Sequence, residues 1–194
     1  PSEILIVADE TANPKFVAAD LMSQAEHDKL ASPMLLTTSP ALAEAVDKEL
    51  ARQMSYLERS EMMEQSFANF GAVIVCDSLD RCVELADVIA PEHLELCTAE
   101  PRALLPKVKN AGAVFLGHWA PEPLGDYFAG PAHVLPTSGT ARFFSPLSVD
   151  SFLKMMSVME FDQKALSGIH EEIELFAETE HLTAHANAVK VRFE

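Results

Sequence analysis

Apolar positions along the chain fall into short uninterrupted runs that alternate with longer stretches of helical spacing. Ile4 to Ala8 is such a run, Asp9 to Pro14 supplies turn formers, and from Pro14 the apolar residues of PKFVAADLM recur at helical intervals. A second run, Met34 to Thr38, precedes Pro40 at a first helical position, after which ALAEAVDKELARQM and ERSEMMEQSFANF read as helix up to Gly71. Ala72–Cys76 predicts a third strand, Leu79–Ala90 a helix, His93–Cys97 a fourth strand, Pro101–Lys109 a helix and Ala113–Leu116 a fifth strand. Strands joined by helices must cross over and run the same way. The expected fold is therefore α/β: a mostly parallel, Rossmann-like but incomplete sheet with flanking helices.

The texture changes after Gly117. EPLGDYFAGPAHVLPTSGTARFFSPLS holds four Pro and three Gly, which predicts a long loop without regular elements, and a loop of that length inside a domain is usually functional. Helical spacing returns from Asp162 to Val189, where Leu166, Ile169, Ile173, Phe176 and Ala177 form an apolar stripe. The expected division is an α/β domain over residues 1–150 and a C-terminal helical segment over 151–194, packed separately or exchanged with another subunit. No repeat or low-complexity tract interrupts this scheme.

Composition narrows the classes of function. With 194 residues, 48% of them hydrophobic, the chain can bury one substantial core. Its 14 basic and 30 acidic residues give a formal charge of -16, which repels nucleic-acid phosphates and anionic membranes and excludes them as expected partners. No apolar stretch has the length of a membrane span, and PSEILIVADE lacks the plan of a signal peptide. Cys76, Cys82 and Cys97 form no CxxC pair, so neither a disulfide framework nor a thiolate zinc site is expected, and a reducing cytoplasm fits. An apolar run that begins almost at Pro1 suggests a piece of a longer polypeptide.

Four segments could carry chemistry. Gln24 and His27, three apart near the end of the first helix, would share a face with Cβ atoms about 5–6 Å apart, close enough to hold one cation. A plain polar helix end, with His27 near the negative pole of the helix dipole, accounts for the same spacing. Glu92 and His93 are the side-chain types most used for proton transfer near neutral pH. Neighbours in a strand point to opposite faces, so they share a site only if Pro91 makes the backbone irregular; otherwise they are a solvated junction. Asp126, in the breaker-rich loop with His133 seven residues on, offers a hard anionic donor or caps a turn. Near the C-terminus, His181 and His185 are four apart, a zinc-binding spacing, whereas Glu180 and His185 would diverge by about 140° on an ideal helix. The HExxH motif is absent because Leu182 follows His181, and no GxGxxG or GxxxxGK[ST] occurs, so no phosphate-binding loop is expected.

Taken together, PSEILIVADETANPKFVAADLMSQAEHD, IAPEHLEL, AGAVFLG, GDYFAGPAHVLPTSGTARFFSPLSV and EHLTAHANAV resemble the histidinol dehydrogenase family, in the family's order and over nearly the whole chain. The resemblance implies a zinc-dependent, NAD-linked, cytoplasmic homodimer that oxidises histidinol to histidine through the aldehyde. By the same resemblance Gln24, His27, Asp126 and His185 bind Zn²⁺, with His185 supplied to the partner subunit's site. Ser2, His93 and Glu180 match further substrate contacts, and Glu92 and His93 match the acid–base pair. The family's NAD-contacting positions lie upstream of Pro1, which implies that this chain alone does not oxidise histidinol.

Two positions depart from the family: His181 stands where Gly is frequent, and Ala132 replaces a frequent Asn. One tension concerns topology. The end of the first helix and the residues before the fourth strand belong at the sheet edge where strands begin, yet Asp126 follows a strand's far end. Either the long loop travels back across the domain or the fifth strand runs antiparallel. Rival readings are a zinc hydrolase, in which Glu92 and His93 activate water without a nicotinamide, and a non-enzymatic α/β binding module with surface histidines.

Overall fold

In the computed structural model, which describes residues 2–194, five strands build one sheet in the order β3-β2-β1-β4-β5, and every neighbouring pair is parallel. The strands are β1 (Glu3–Ala8), β2 (Ser32–Thr37), β3 (Ala72–Val75), β4 (His93–Cys97) and β5 (Ala113–Leu116). The connecting helices are α1 (Pro14–Ala25), α2 (Pro40–Met54), α3 (Ser60–Phe70), α4 (Leu79–Ile89) and the short α5 (Pro101–Leu104). The local punctuation adds side-chain caps to the two prolines that the sequence predicts at helix starts. Asn13, Ser39 and Ser78 cap the N-termini of α1, α2 and α4 by accepting from backbone N–H groups, and Pro14 and Pro40 occupy first-turn positions where no N–H is needed.

The central strands are buried on both sides, and alternation sorts their side chains into two layers. Ile4, Ile6, Ala8, Leu35 and Cys97 face Val17, Ala18 and Leu21 of α1, Leu42, Val46 and Leu50 of α2, and Met63 of α3. Leu5, Val7, Leu36, Leu94 and Leu96 face Cys82, Val83 and Ala86 of α4 and Leu104 of α5. Because β1 and β4 pair with Ile4 opposite His93 and Ile6 opposite Glu95, the polar residues of β4 lie on the α1 side of the sheet.

Three expectations are corrected. The helix expected over Pro101–Lys109 is α5 followed by a 3-10 turn, Leu105–Lys107, because Pro106 cannot donate the N–H that would continue an α-helix. The breaker-rich segment is not devoid of structure: α6 (Glu122–Tyr127) forms in it, with Pro123 in the first turn, where a proline costs no hydrogen bond. The C-terminal stretch expected to be helical from Asp162 to Val189 divides into three helices, α7 (Gln163–Ser167), α8 (His170–Thr179) and α9 (Thr183–Lys190), so its apolar stripe is interrupted after Ser167.

The chain divides into two compact units, the first ending at Phe152 and the second running from Leu153 to Glu194. Within the second, His170 stacks on Phe193 and hydrogen-bonds Glu174, while only Ala177 and Ala186 are buried among its apolar residues. His181 lies between α8 and α9 at φ 60°, the left-handed conformation that glycine adopts without strain. The expected pairing of His181 with His185 on one helical face is therefore wrong, since only His185 is helical. The spacing rule that set Glu180 apart from His185 does not apply either, because Glu180 is the C-cap of α8 and His185 lies in α9, with the helix interrupted between them.

Candidate active site

The site forms where strands begin. Ala90 takes a left-handed conformation, φ 54°, at the end of α4, and Pro91 and Glu92 then run outside the ladder before β4 starts at His93. The segment is held by Gly112 and Ala113, whose N–H groups donate to the carbonyls of Pro91 and Glu92 at 2.9 and 2.8 Å. Gly112 is required there: a Cβ would stand 2.5 Å from the Glu92 carbonyl oxygen. Since Glu92 precedes the strand, the alternation rule does not separate it from His93. Its Oε2 lies 3.6 Å from His93 Nδ1, and both residues are buried.

Glu3 organises this pair. His93 Nδ1 lies 2.8 Å from the Glu3 carbonyl oxygen, which can only accept, so Nδ1 carries the proton and Nε2 keeps its lone pair. Glu3 N–H donates to Glu92 Oε2 at 3.0 Å, and Glu92 N–H donates to Glu3 Oε2 at 3.2 Å. Burial pushes the Glu92 carboxyl up to about 7, against the hydrogen bond from Glu3, which lowers it. Burial also lowers the His93 imidazole, with the Glu3 carbonyl and the Asp126 charge pulling the other way. A neutral imidazole with a fixed free nitrogen beside a carboxyl near neutrality is the combination general acid–base chemistry requires.

The loop after β5 travels back across the domain, which resolves the topological tension while β5 stays parallel. Helix α6 lies on the α1 side of the sheet: a Cβ at Gly125 would sit 2.7 Å from the ring of Phe115, itself paired with Glu95. The return places Glu122 Oε1 3.5 Å from His93 Nε2. One ligand atom from each of His93, Glu122 and Asp126 falls within 4.8 Å of the others, a spacing suited to one cation. Glu122 is 2% exposed, and its Oε1 has no hydrogen-bond partner. Its carboxyl is raised to about 7, first by burial and then by Asp126, and lowered by the Gln24 amide. An orphaned carboxylate oxygen facing a second carboxylate, an imidazole and an amide is an environment a divalent cation would satisfy, so the donor set fits zinc.

Of the residues singled out from sequence, Ser2, Gln24, Glu92, His93 and Asp126 converge. The Ser2 hydroxyl donates to Gln24 Oε1, and Gln24 is buried at the end of α1. His27 is not on α1, which ends at Ala25; it stands exposed in the following turn, near enough to His93 to disfavour its protonated form. Glu180 and His185 belong to the second unit, where both are exposed. Glu122 went unrecognised because its segment reads as loop; the four-residue spacing from Glu122 to Asp126 is the signal that would have found it. A cavity of about 440 Å³ opens beside the site, lined by His93, Phe115, Leu124, Asp126, His133 and Leu135, so an apolar wall adjoins the polar cluster.

A parallel α/β sheet with an oriented His–Glu pair at its N-terminal edge, beside a cluster that could hold one cation, marks a candidate acid–base centre. The comparisons identify the family. The family model for histidinol dehydrogenase matches residues 1–193, and the chain belongs to that family. It is 62% identical over 187 residues to the histidinol dehydrogenase of Caldanaerobacter subterraneus, covering 96% of this chain and 44% of that protein. It is 57% identical to that of Clostridium acetobutylicum, over 100% of this chain and 45% of the relative. The crystal structure of histidinol dehydrogenase from Elizabethkingia anophelis superposes with a TM-score of 0.93 at 41% identity, over all of this chain and 44% of that one. The chain thus spans less than half the length of these relatives.

Proposed function

We propose that this chain carries the metal-binding and acid–base part of an NAD-linked oxidoreductase that converts histidinol to histidine through the aldehyde, a step of histidine biosynthesis. The observation that supports it most is the fixed tautomer of His93, whose free Nε2 faces Asp126 and Glu122 with Glu92 alongside. His93 would accept the hydroxyl proton of the alcohol, and NAD, when bound, would supply the hydride acceptor for each of the two oxidations. Glu92 removes a proton from the water that attacks the aldehyde in the second oxidation. Gln24, His27 and Asp126 would hold zinc, with His185 completing the set from a partner subunit, and Ser2 and Glu180 would contact substrate. When bound, zinc supplies an electrophilic anchor that orients the substrate's imidazole and amine.

Exposed Met155, Val158, Met159, Phe161, Leu175 and Phe176 support reading the C-terminal segment as one exchanged between the subunits of a homodimer. This chain has no glycine-rich dinucleotide fingerprint, and by itself it should form no NADH from histidinol. No observation favours the hydrolase over the oxidoreductase.

Metal analysis with competition titration tests the centre. Zinc should bind stoichiometrically, and Asp126→Ala should weaken it by at least about tenfold. Equal zinc content in the parent and in Asp126→Ala would overturn the assignment, as would NADH formation by this chain alone for its predicted inactivity.

A further inference from the structure

Behind the site, on the same side of β4 as His93, lies a carboxyl that the proposed chemistry does not use. Glu95 is 1% exposed. Its Oε1 accepts the backbone N–H of Glu122 at 2.9 Å and its Oε2 receives the Cys97 thiol at 3.8 Å, while burial and then the neighbouring Asp20 carboxyl of α1 hold its own carboxyl well above the usual range. These contacts reach all three elements that bring the site together. His93 is two residues away on β4, Asp20 lies one turn before Gln24 on α1, and Glu122 opens α6, which also carries Asp126.

Helix α6 has no cap of its own. Pro121 stands at its N-cap position, and no side chain there accepts from the first turn. In a buried location that N–H needs an acceptor from elsewhere in the fold, and Glu95 supplies it. The close approach of Gly125 to Phe115 leaves α6 little freedom to shift without losing this bond.

We infer that Glu95 is the positioning residue of the site: by capping α6 from β4, it sets the distance of Glu122 and Asp126 from His93. The inference rests on the proposed function only for its metal readout.

Amide hydrogen exchange on the metal-free chain provides the first test. The Glu122 N–H, a first-turn amide that ordinarily exchanges fast, should be protected in the parent chain and in Glu95→Gln, whose amide oxygen still accepts. In Glu95→Leu its protection should fall by at least about tenfold while the amides of β1 and β4 stay protected. Zinc affinity provides the second: Glu95→Leu should lose about 10- to 100-fold and Glu95→Gln much less. A Glu122 amide that exchanges freely in the parent chain would overturn the inference whether or not Glu95→Leu folds. So would equal losses in the Gln and Leu variants. If the parent chain binds no zinc, the proposed metal centre fails, and amide exchange still decides the role of Glu95.

Discussion

The two units of the chain bury apolar surface to very different degrees. In the unit ending at Phe152, Ile4 through Ala8 are each 0% exposed, because a parallel strand flanked by helices on both faces has no solvent side. From Leu153 onward, Met155 is 97% exposed and Phe176 74%, and three short helices cover little of one another. The first unit therefore contains the contacts that stabilise it. The second presents apolar area that a partner surface could cover, and its helices are too short for intrinsic propensity alone to hold them.

The contrast is broken most directly by truncating one large side chain in each unit. Ile6→Ala in β1 should cost about 2–5 kcal/mol in denaturant unfolding, whereas Phe176→Ala in α8 should stay within about 0.5 kcal/mol while the chain is monomeric. Similar losses at both sites would show that the second unit has a core of its own.

A smaller effect sharpens the comparison inside the first unit, between its apolar strands and the polar edge where they begin. Glu92 is raised from an ordinary 4.5 to about 7, chiefly by burial. Between those values the folded state keeps a proton that the unfolded chain has released, so stability should fall as pH rises through this window and level off above it. Over the whole window the loss should be on the order of 3 kcal/mol. Urea titrations of the metal-free chain should show that Glu92→Gln flattens the slope; an unchanged slope would assign it to other groups.

The smallest expected change lies in the second unit. His181 pays for a left-handed backbone at φ 60°, so His181→Gly should raise the stability of the α8–α9 corner by about 1 kcal/mol, read as slower amide exchange in α9. No gain there would mean that the imidazole makes a compensating contact.

Much of the sheet was legible because its signals are local. Apolar runs located all five strands to within two residues, and Pro14 and Pro40 marked helix starts that the structure retains. At the site, residue type and family resemblance together singled out Gln24, Glu92, His93 and Asp126. Spacing misled wherever it assumed a helix that the backbone does not form. His181 turns the chain between two helices, whereas His27, past the last residue of α1, still keeps a turn with Gln24 through its N–H to the Gln24 carbonyl. Glu122 was missed for the opposite reason: Pro123 and Gly125 read as breakers, although Pro123 sits in a first turn and Gly125 is needed for close packing on Phe115.

By itself, the order of apolar and polar residues determined that strands and helices alternate and where most of them begin, since these depend on neighbours along the backbone; the family resemblance rests instead on specific residues in five blocks of the sequence. Tertiary structure alone decided that the chain after β5 returns to the edge where strands start. It also decided that Glu95 caps a helix 27 residues away and that the His93 proton rests on Nδ1. Such contacts join residues distant in sequence, and their energies come from desolvation and hydrogen-bond geometry that exist only once the sheet has closed around them.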